Sequence, residues 1–241
     1  MDVKTAGRTV ELFEIFARAR APLTLSELAR ALNAPQSSCF NLLRALEARG
    51  YLYSVGGNKR VYPTRKLFDL AEAIAGYDPV IPRVEATLAA LRDRTHETVI
   101  LGTRQGEQVI YLAVAEGRQT IRYISRAGEL KPMHASAIGK ALLMAMPEAE
   151  RERLVHRLPL AAATARTVTD PERLLADIAA AAARGYAQTE GENVADVMAV
   201  ACPLRVEAIS YAIAVAGPVG RMAPRAGEVA GWVRHAIDAL E

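Results

Sequence analysis

The first 65 residues combine three short helical patterns with two short strand patterns, and this order restricts the fold more than any other feature of the chain. The helical patterns cover residues 5–19, 25–32 and 36–49, and the strand patterns cover 51–53 and 60–62. The segment between the two strand patterns contains two glycines and an asparagine, which favour a tight turn. Three helices followed by a hairpin in so short a segment predict a winged helix-turn-helix domain over residues 1–64.

Residues that cap or end helices mark the boundaries of these elements. Ser26 is the predicted N-cap of the second helix, because a hydroxyl side chain accepts a hydrogen bond from the first turn. The third helix is expected to end at Gly50, a residue type that adopts the left-handed conformation without strain. The first helix is expected to be amphipathic, with apolar Val10, Leu12, Phe13 and Phe16, and the third to bury Phe40, Leu43 and Leu46.

The exposed face predicted for the third helix carries short or fork-shaped hydrogen-bonding side chains. Such side chains bind base edges and phosphates in the major groove, although an isolated helix with this face is more often simply solvated. The basic hairpin that follows favours DNA binding, because its tip places positive charge where a phosphate backbone would lie. The predicted partner is double-stranded operator DNA. The residues expected to contact it are Ser26, Gln36, Ser37, Ser38, Asn41, Arg44, Lys59 and Arg60.

Charge is distributed unevenly along a chain whose formal net charge is only +3. Residues 1–65 hold ten Lys and Arg residues against five Asp and Glu residues, so this quarter carries +5 and the remainder carries −2. A basic head on a mildly acidic body fits binding of a polyanion, which supports the DNA-binding prediction without establishing it.

Composition argues against several other classes of protein. An apolar fraction of 51% with a small net charge excludes general disorder. No apolar run approaches the roughly 18–20 residues that span a bilayer, and the first residues lack the apolar stretch of a signal peptide. Cys39 and Cys202 are too few for a disulfide scaffold and are expected to be packing groups. The expected location is the reducing cytoplasm.

Residues 65–80 separate the first domain from a second one. Apolar residues at helical spacing predict a linker helix here, namely Leu67, Leu70, Ala71 and Ile74. This helix could pack against its copy in a partner chain or against its own domain. From residue 81 the pattern becomes mixed α/β, so the predicted fold class is α+β with an α/β domain over 81–241. Its predicted helices cover 83–95, 171–184 and about 225–240, and a loop with a helix is predicted over about 130–146. Its predicted strands cover 97–103, 108–115, 120–125, 186–189, 197–202 and 209–216.

The run from Pro132 to Leu142, Pro-Met-His-Ala-Ser-Ala-Ile-Gly-Lys-Ala-Leu, resembles the effector-domain signature of the IclR (isocitrate lyase regulator) family of bacterial transcription factors. Segments at 167–170, 184–187, 201–203 and 216–218 also match in that family's order and spacing. The segments at 25–29 and 46–51 are similar to its winged-helix domain. The resemblance covers nearly the whole chain. It implies an operator-binding domain, a linker helix and a GAF-like domain that binds a small carboxylate or aromatic acid. It also implies dimers or dimers of dimers, and no metal or cofactor.

The resemblance places the effector site at the start of the helix within this run. His134 and Ser136 lie in the loop before that helix, and the free N–H groups at the positive end of its dipole suit a carboxylate. In the family, the backbone after the loop serine contacts the ligand, which here means Ala137 and Ile138. The other matching pocket positions are Thr189, Val197, Ala199, Ala214 and Ala216, and Tyr123, Met133 and Met198 are expected nearby.

The chain departs at the pocket from relatives that bind small polar acids. Those relatives tend to have an acid at the Thr189 position, a thiol at Ala199 and hydroxyls at the remaining two alanines, whereas three of these four positions carry alanine here. The expected wall is therefore wider and less polar. The predicted effector is a larger, partly apolar compound such as an aromatic acid.

Structural roles and other functions remain alternatives for these residues. His134 is expected to hold the loop through backbone hydrogen bonds, Ser136 could be only an N-cap, and Lys140 is expected to be solvated or structural. An enzyme using His134, Ser136 and a carboxylate such as Asp170 or Glu190 is disfavoured, because a serine two residues from its histidine has poor geometry for proton transfer. No nucleophile-elbow pattern occurs either. A DNA-binding protein without a ligand is the third alternative.

Overall fold

The computed structural model describes residues 4–56 and 59–240 and divides into two compact units between Asp78 and Pro79. Gly57 and Asn58, on which the predicted hairpin turn depends, lie outside the described residues. Among the helices of the described residues, none is long and apolar enough to cross a membrane.

The first unit contains four helices and a small antiparallel sheet in the order β1-β3-β2 within its described residues. The bounds are α1 (Lys4–Ala19), β1 (Leu23–Thr24), α2 (Leu25–Ala31), α3 (Gln36–Ala48), β2 (Leu52–Val55), β3 (Arg60–Pro63) and α4 (Lys66–Ala75). The three predicted helices and two predicted strands of the first domain are all present. The predicted linker segment holds α4, which the division above groups with the first unit.

The buried faces in the first unit differ in two places from the sequence prediction. α1 buries Leu12, Ile15 and Phe16, whereas Val10 is 62% exposed. α3 buries Cys39, Leu43 and Leu46, so the prediction that Phe40 is buried is wrong and its side chain is 48% exposed. The reason is helical geometry: Cys39, Leu43 and Leu46 share one face at spacings of four and three, and Phe40 lies about 100° around the axis from Cys39.

The N-cap of α2 is Thr24 rather than Ser26, which corrects the sequence prediction by two residues. The Thr24 hydroxyl accepts a hydrogen bond from the Glu27 N–H at 3.3 Å, and the Glu27 carboxylate accepts one from the Thr24 N–H at 2.7 Å. This reciprocal capping box satisfies two backbone donors at the helix start. The N–H and hydroxyl of Thr24 lower the pKa of Glu27. Gly50 follows α3 with φ +73°, as predicted for a residue that ends a helix.

The second unit is built around a six-stranded antiparallel sheet in the order β6-β5-β4-β9-β8-β7. Its strands are β4 (Thr98–Gln105), β5 (Gln108–Ala115), β6 (Leu130–Pro132), β7 (Ala187–Glu190), β8 (Val197–Val206) and β9 (Ile209–Pro218). Its helices are α5 (Ile81–Thr95), α6 (Ala137–Met144), α7 (Glu148–Val155), α8 (Pro171–Arg184), α9 (Val219–Met222) and α10 (Ala226–Asp238), with a 3₁₀ turn at Ala223–Arg225.

Helices cover the sheet on both faces. Successive residues of a strand point to opposite sides, and apolar side chains occur on each side. One core contains Ile100 and Ala214 of the sheet with side chains of α6, α7 and α8. The other contains Val99 and Ile213 with side chains of α5 and α10. The central strands are therefore apolar on both faces.

One predicted strand of the second unit is wrong, and one helix was not predicted. Residues 120–125 form no strand; they belong to a loop in which Arg122 donates to the Gln119 carbonyl and Thr98 donates to the Tyr123 carbonyl. Ile121 is 73% exposed in this loop, so its apolar side chain does not indicate a buried strand. Helix α7 falls in a segment for which the sequence predicted no element. The other predicted helices and strands occur within a few residues of their expected bounds.

We expect Thr24→Ala to weaken α2 and Ser26→Ala to leave it nearly unchanged. Removing the cap hydroxyl costs about 1 kcal/mol, which corresponds to roughly fivefold faster exchange of α2 amides through local opening. The measurement is native-state hydrogen exchange of the full chain. Equal exchange in the two variants, or faster exchange in Ser26→Ala, would contradict the assignment of Thr24 as the cap.

Candidate functional site

The exposed face of α3 carries the polar side chains that the sequence predicted for DNA contact. Gln36, Ser37, Ser38, Asn41 and Arg44 are all exposed, while the opposite face is buried in the core of the first unit. The Gln36 amide donates a long hydrogen bond of 3.4 Å to the Ser26 hydroxyl, which connects the start of α3 to α2. The structure therefore places these residues on one accessible surface.

The two basic residues of the hairpin have different surroundings. Lys59 is exposed and has φ +52°. Arg60 is half-buried; its Nη1 donates to the Pro22 carbonyl at 2.8 Å and lies 3.3 Å from the Glu27 carboxylate. Arg60 thus links β3 to the start of α2, a structural role that local sequence does not reveal because Pro22 is 38 residues away.

The start of α6 is fixed by Ser136 and by a close approach of the preceding loop. The Ser136 hydroxyl donates to the Pro132 carbonyl at 2.7 Å and accepts from the Gly139 N–H at 3.2 Å, so Ser136 is the N-cap. A Cβ at Gly139 would overlap the Met133 carbonyl, so only glycine allows this contact. The N–H groups of Ala137 and Ile138 belong to the first turn, where a helix offers no internal acceptor.

A small cavity lies beside this helix start. Three strands form one wall in register: Thr189 of β7 pairs with Ala199 of β8, which pairs with Ala216 of β9. The full lining consists of Tyr111, Tyr123, Ala135, Ser136, Ala137, Thr189, Asn193, Val194, Val197, Ala199 and Ala216. The cavity measures about 30 Å³, room for one or two water molecules.

Seven of the eleven residues predicted at the effector site line this cavity: Tyr123, Ser136, Ala137, Thr189, Val197, Ala199 and Ala216. The other four, Met133, His134, Ile138 and Ala214, are buried outside the lining. The prediction that Met198 lies near the site is wrong. Met198 packs in the core on the opposite face of the sheet, because it alternates with Val197 and Ala199 along β8.

The alanines expected to widen the wall do not by themselves produce a large cavity in this structure. Ala199 and Ala216 leave space at the wall, but the side chains of Tyr111, Tyr123 and Val194 line the same cavity and reduce it to the volume above. The sequence pattern does not identify Tyr111, Asn193 or Val194 as residues of this site. Tyr111 was one residue within an apolar strand, and a loop has no periodic pattern to show which side chains turn inward.

Polar groups of β5 and β6 surround the tyrosine side of the cavity. Burial, followed by the nearby Tyr123 hydroxyl, raises the pKa of Tyr111, so its phenol stays protonated at neutral pH. Burial alone would lower the pKa of Lys131, but the Glu129 carboxylate at 2.8 Å and the Tyr123 hydroxyl raise it. This side of the cavity therefore offers the neutral phenol of Tyr111, with the Lys131 ammonium 5.7 Å from the centre of its ring.

His134 and Ser136 do not form a catalytic pair. The His134 Nε2 is 3.0 Å from the Ala161 carbonyl, and burial lowers the pKa of its imidazole. Both hydrogen bonds given above for Ser136 go to backbone groups. The two side chains thus hold the loop and the helix start, which are the structural alternatives that the sequence left open. Among the described residues, no group of His, Cys, Asp and Glu is arranged to hold a metal ion.

Lys140, one turn into α6, is the centre of a buried ionic cluster. Its side chain is 1% exposed, and its Nζ lies 2.5 Å from Asp177 of α8 and 2.6 and 2.7 Å from the two carboxylate oxygens of Glu192. Burial raises the pKa of Glu192 more than the Lys140 ammonium lowers it. Of the two roles considered for Lys140, the structural one is confirmed.

Glu192 also ties the cavity-lining loop of residues 191–196 to the rest of the unit. The Thr167 hydroxyl donates to the Glu192 carbonyl at 2.6 Å, and the Thr164 hydroxyl donates to the Gly191 carbonyl at 2.6 Å. Because Asn193 and Val194 follow directly, the ionic cluster and these hydroxyls set the position of one cavity wall.

Comparison with known proteins agrees with both units. A family model described as "Bacterial transcriptional regulator IclR C-terminal" matches residues 74–240, and one described as "IclR helix-turn-helix domain" matches residues 5–56. The probable transcriptional regulator SauR of Cupriavidus necator is 33% identical over 90% of this chain and 87% of its own. The transcriptional regulator BhcR of Paracoccus denitrificans is 31% identical over 91% and 79%.

Solved structures show the same fold over nearly the full length. The IclR of Thermotoga maritima matches with a TM-score of 0.83 at 23% identity, over 99% of this chain and 98% of that one. An IclR homologue from Microbacterium hydrocarbonoxydans, complexed with 4-hydroxybenzoate, matches with a TM-score of 0.76 at 24% identity, over 98% and 97%. The predicted fold class, a helix-turn-helix domain followed by an α/β domain, is confirmed.

The chain belongs to the IclR family of bacterial transcriptional regulators, and its first unit contains the helix-turn-helix DNA-binding domain of that family. The family consists of regulators rather than enzymes.

We expect Lys140→Met to destabilise the second unit by about 3 kcal/mol, because it leaves two partly buried carboxylates without their cation. The measurement is urea unfolding of the full chain, followed by fluorescence of Trp232, the single tryptophan, which lies in α10. Lys140→Met/Glu192→Leu should recover part of this loss. The surface variant Arg157→Met, which breaks an exposed pair with Glu107, should cost well under 1 kcal/mol. Equal costs for the buried and surface variants would contradict this role.

The loss in Lys140→Met should be smaller at pH 5 than at pH 8. A carboxyl whose folded-state pKa is raised binds a proton more readily in the folded protein, so its stabilising contribution is present at low pH and is lost as the pH rises through that pKa. Removing the Lys140 ammonium raises the pKa of Glu192 further, so in the variant this carboxyl is protonated, and its unpaired charge removed, over a wider range of low pH.

Proposed function

We propose that this chain is a ligand-responsive regulator that binds a palindromic operator as a dimer or dimer of dimers. Its effector, we propose, is a small organic acid with an aromatic or partly apolar body, held in a GAF-like second domain. The observation that carries the effector proposal is the cavity at the start of α6, where backbone N–H groups meet a wall of alanines and two tyrosines. No metal or cofactor is required for this function.

The proposed DNA interface consists of the polar face of α3 and the basic hairpin. Gln36, Asn41 and Arg44 carry amide and guanidinium groups that bind adenine and guanine edges in the major groove. Lys59, in the hairpin that follows α3, is exposed and supplies positive charge for a phosphate group. The excess of +5 in this part of the chain favours a polyanionic partner.

The proposed effector orientation follows from the polarity of the cavity walls. A carboxylate suits the Ala137 and Ile138 N–H groups at the positive end of the α6 dipole. An apolar ring suits Val197, Ala199 and Ala216. A hydroxyl at the far end of the ring suits the tyrosine hydroxyls. The 4-hydroxybenzoate bound by the Microbacterium homologue has this chemistry, which supports the same class of effector here.

Binding of such a compound requires the cavity to enlarge, because ligand pockets for compounds of this class are several times larger than 30 Å³. Gly191 and Glu192 are held by the contacts described above, so residues 193–195 are the part of this wall that we propose to move. Val194 is 42% exposed, and this segment forms no helix or strand. The ligand therefore binds the arrangement with the enlarged cavity more tightly than the arrangement with the small one. Such a difference in affinity is the condition for an effector to shift the populations of two conformations. Coupling energies of this kind are typically about 1–3 kcal/mol.

We expect 4-hydroxybenzoate or a related aromatic acid to raise the melting temperature of the chain and to change its affinity for operator DNA in gel shifts. Ligand at a hundred times its Kd adds about 2.7 kcal/mol of stability. Ala199→Val narrows the cavity and should remove this response. Ala113→Val makes the same change on a strand facing the opposite core and should retain it. Stabilisation by glyoxylate but by no aromatic acid would contradict the proposed effector class.

We expect Arg44→Ala and Lys59→Ala to weaken DNA binding in different ways. Loss of a guanidinium that binds guanine costs about 1–3 kcal/mol at one base position and relaxes specificity there. Loss of a phosphate contact weakens all sequences alike and lowers the slope of log affinity against log salt concentration by about 1. Gel shifts at several salt concentrations measure both effects. An unchanged midpoint for Arg44→Ala would argue against α3 as the recognition helix.

A further inference from the structure

Phe40 lies on the exposed polar side of α3. The exposed residues of this side are Gln36, Ser37, Ser38, Phe40, Asn41 and Arg44, so the phenyl ring, 48% exposed, shares it with five hydrogen-bonding side chains. The Arg44 guanidinium carbon is 5.9 Å from the ring centroid, so the ring and the next basic group along the helix lie side by side. An exposed phenyl ring in this position costs solvation free energy in the free protein.

The core of the first unit does not account for this side chain. Cys39 on one side of it is 1% exposed and Leu43 is 5% exposed, so the neighbouring positions fill the core while Phe40 points to the polar side. Because Phe40 is surrounded by hydrogen-bond donors and acceptors on α3, the binding partner of this surface is expected to be polar overall and to present one small apolar group. The positive charge of this part of the chain indicates a polyanion.

We propose that Phe40 contacts the C5-methyl group of a thymine in the major groove and so selects a T·A pair at one position of each half-site. The methyl group of thymine is the apolar feature by which the major groove distinguishes this base pair, and phenylalanine is one of the side chains that contact it. This inference rests on the proposed role of α3 as the recognition helix.

The spacing between Phe40 and Arg44 predicts where that thymine lies. Four residues of α-helix rise about 6 Å, which is close to two base-pair steps of about 3.4 Å. Arg44 is expected to bind guanine. The selected thymine therefore lies within about two base pairs of the guanine that Arg44 contacts.

The test uses the full chain and DNA in which single thymines are replaced by deoxyuridine, which lacks only the methyl group. A preferred sequence is first selected from a random duplex pool with the wild-type chain. Burial of one methyl group corresponds to about fourfold in affinity. We expect one deoxyuridine substitution per half-site to weaken wild-type binding by about that factor, while other thymines show no effect.

Variants connect this loss to the side chain. Phe40→Ala should bind thymine and deoxyuridine sites equally, and Phe40→Leu should keep part of the preference because it keeps an apolar group. The matched control is Phe68→Ala in α4, where the ring is 54% exposed and the Arg65 guanidinium carbon is 4.8 Å from its centroid. Phe68→Ala should retain the wild-type ratio between thymine and deoxyuridine sites, whatever its effect on absolute affinity.

Two results would overturn the inference. If the wild-type chain selects a sequence and no deoxyuridine substitution weakens binding, Phe40 does not contact a thymine methyl group. The same follows if Phe40→Ala keeps the wild-type dependence on that methyl group. If the wild-type chain selects no sequence at all, the proposed function fails first, and the inference fails with it.

Discussion

The central strands of the second unit are apolar on both faces, and the rest of that unit depends on covering them. Val99 and Ile100, or Ile213 and Ala214, point to opposite cores, so helices must pack on each side of the sheet. α6, α7 and α8 cover one side, and α5 and α10 cover the other. Because burial of apolar surface drives this packing, polar chemistry is left to the ends of strands and the loops beside them. The cavity lies at such a place, where three strands meet the start of α6.

Two local features hold α6 at that position. Gly139 allows the helix to approach the Met133 carbonyl more closely than any other residue could. Lys140 connects the same turn to α8 through Asp177 and to the loop after β7 through Glu192. A buried ion pair contributes little net stability compared with apolar groups of the same size. It favours one position of α6 relative to the loop, because moving the charged groups apart leaves buried charges without partners. The helix start and the loop across the cavity are thereby set relative to each other.

Sequence patterns predicted most of the fold because local rules determine most of it. The predicted helix over 171–184 is correct, and the structure shows Asp170 as its N-cap and Gly185 as its C-cap, because caps and breakers act within a few residues. The patterns failed where an apolar residue was placed by more distant contacts. Phe40 and Val10 have apolar side chains like those of core residues, yet α1 and α3 turn other faces to the core. Ile121 and Ile124 resembled a strand but lie exposed in a loop held by Thr98 and Arg221.

The sequence by itself determined the two-part organisation, the family, the polar face of α3 and the helix start that caps the cavity. These follow from periodicity, from capping chemistry and from a run of residues whose spacing is specific. Only the tertiary structure decided that Tyr111, Asn193 and Val194 complete the cavity, that it is small, and that Lys140 is buried between two acids. Each of these depends on which distant segments meet across the sheet, and residues as far apart as Lys140 and Glu192 come together only when the chain packs its core.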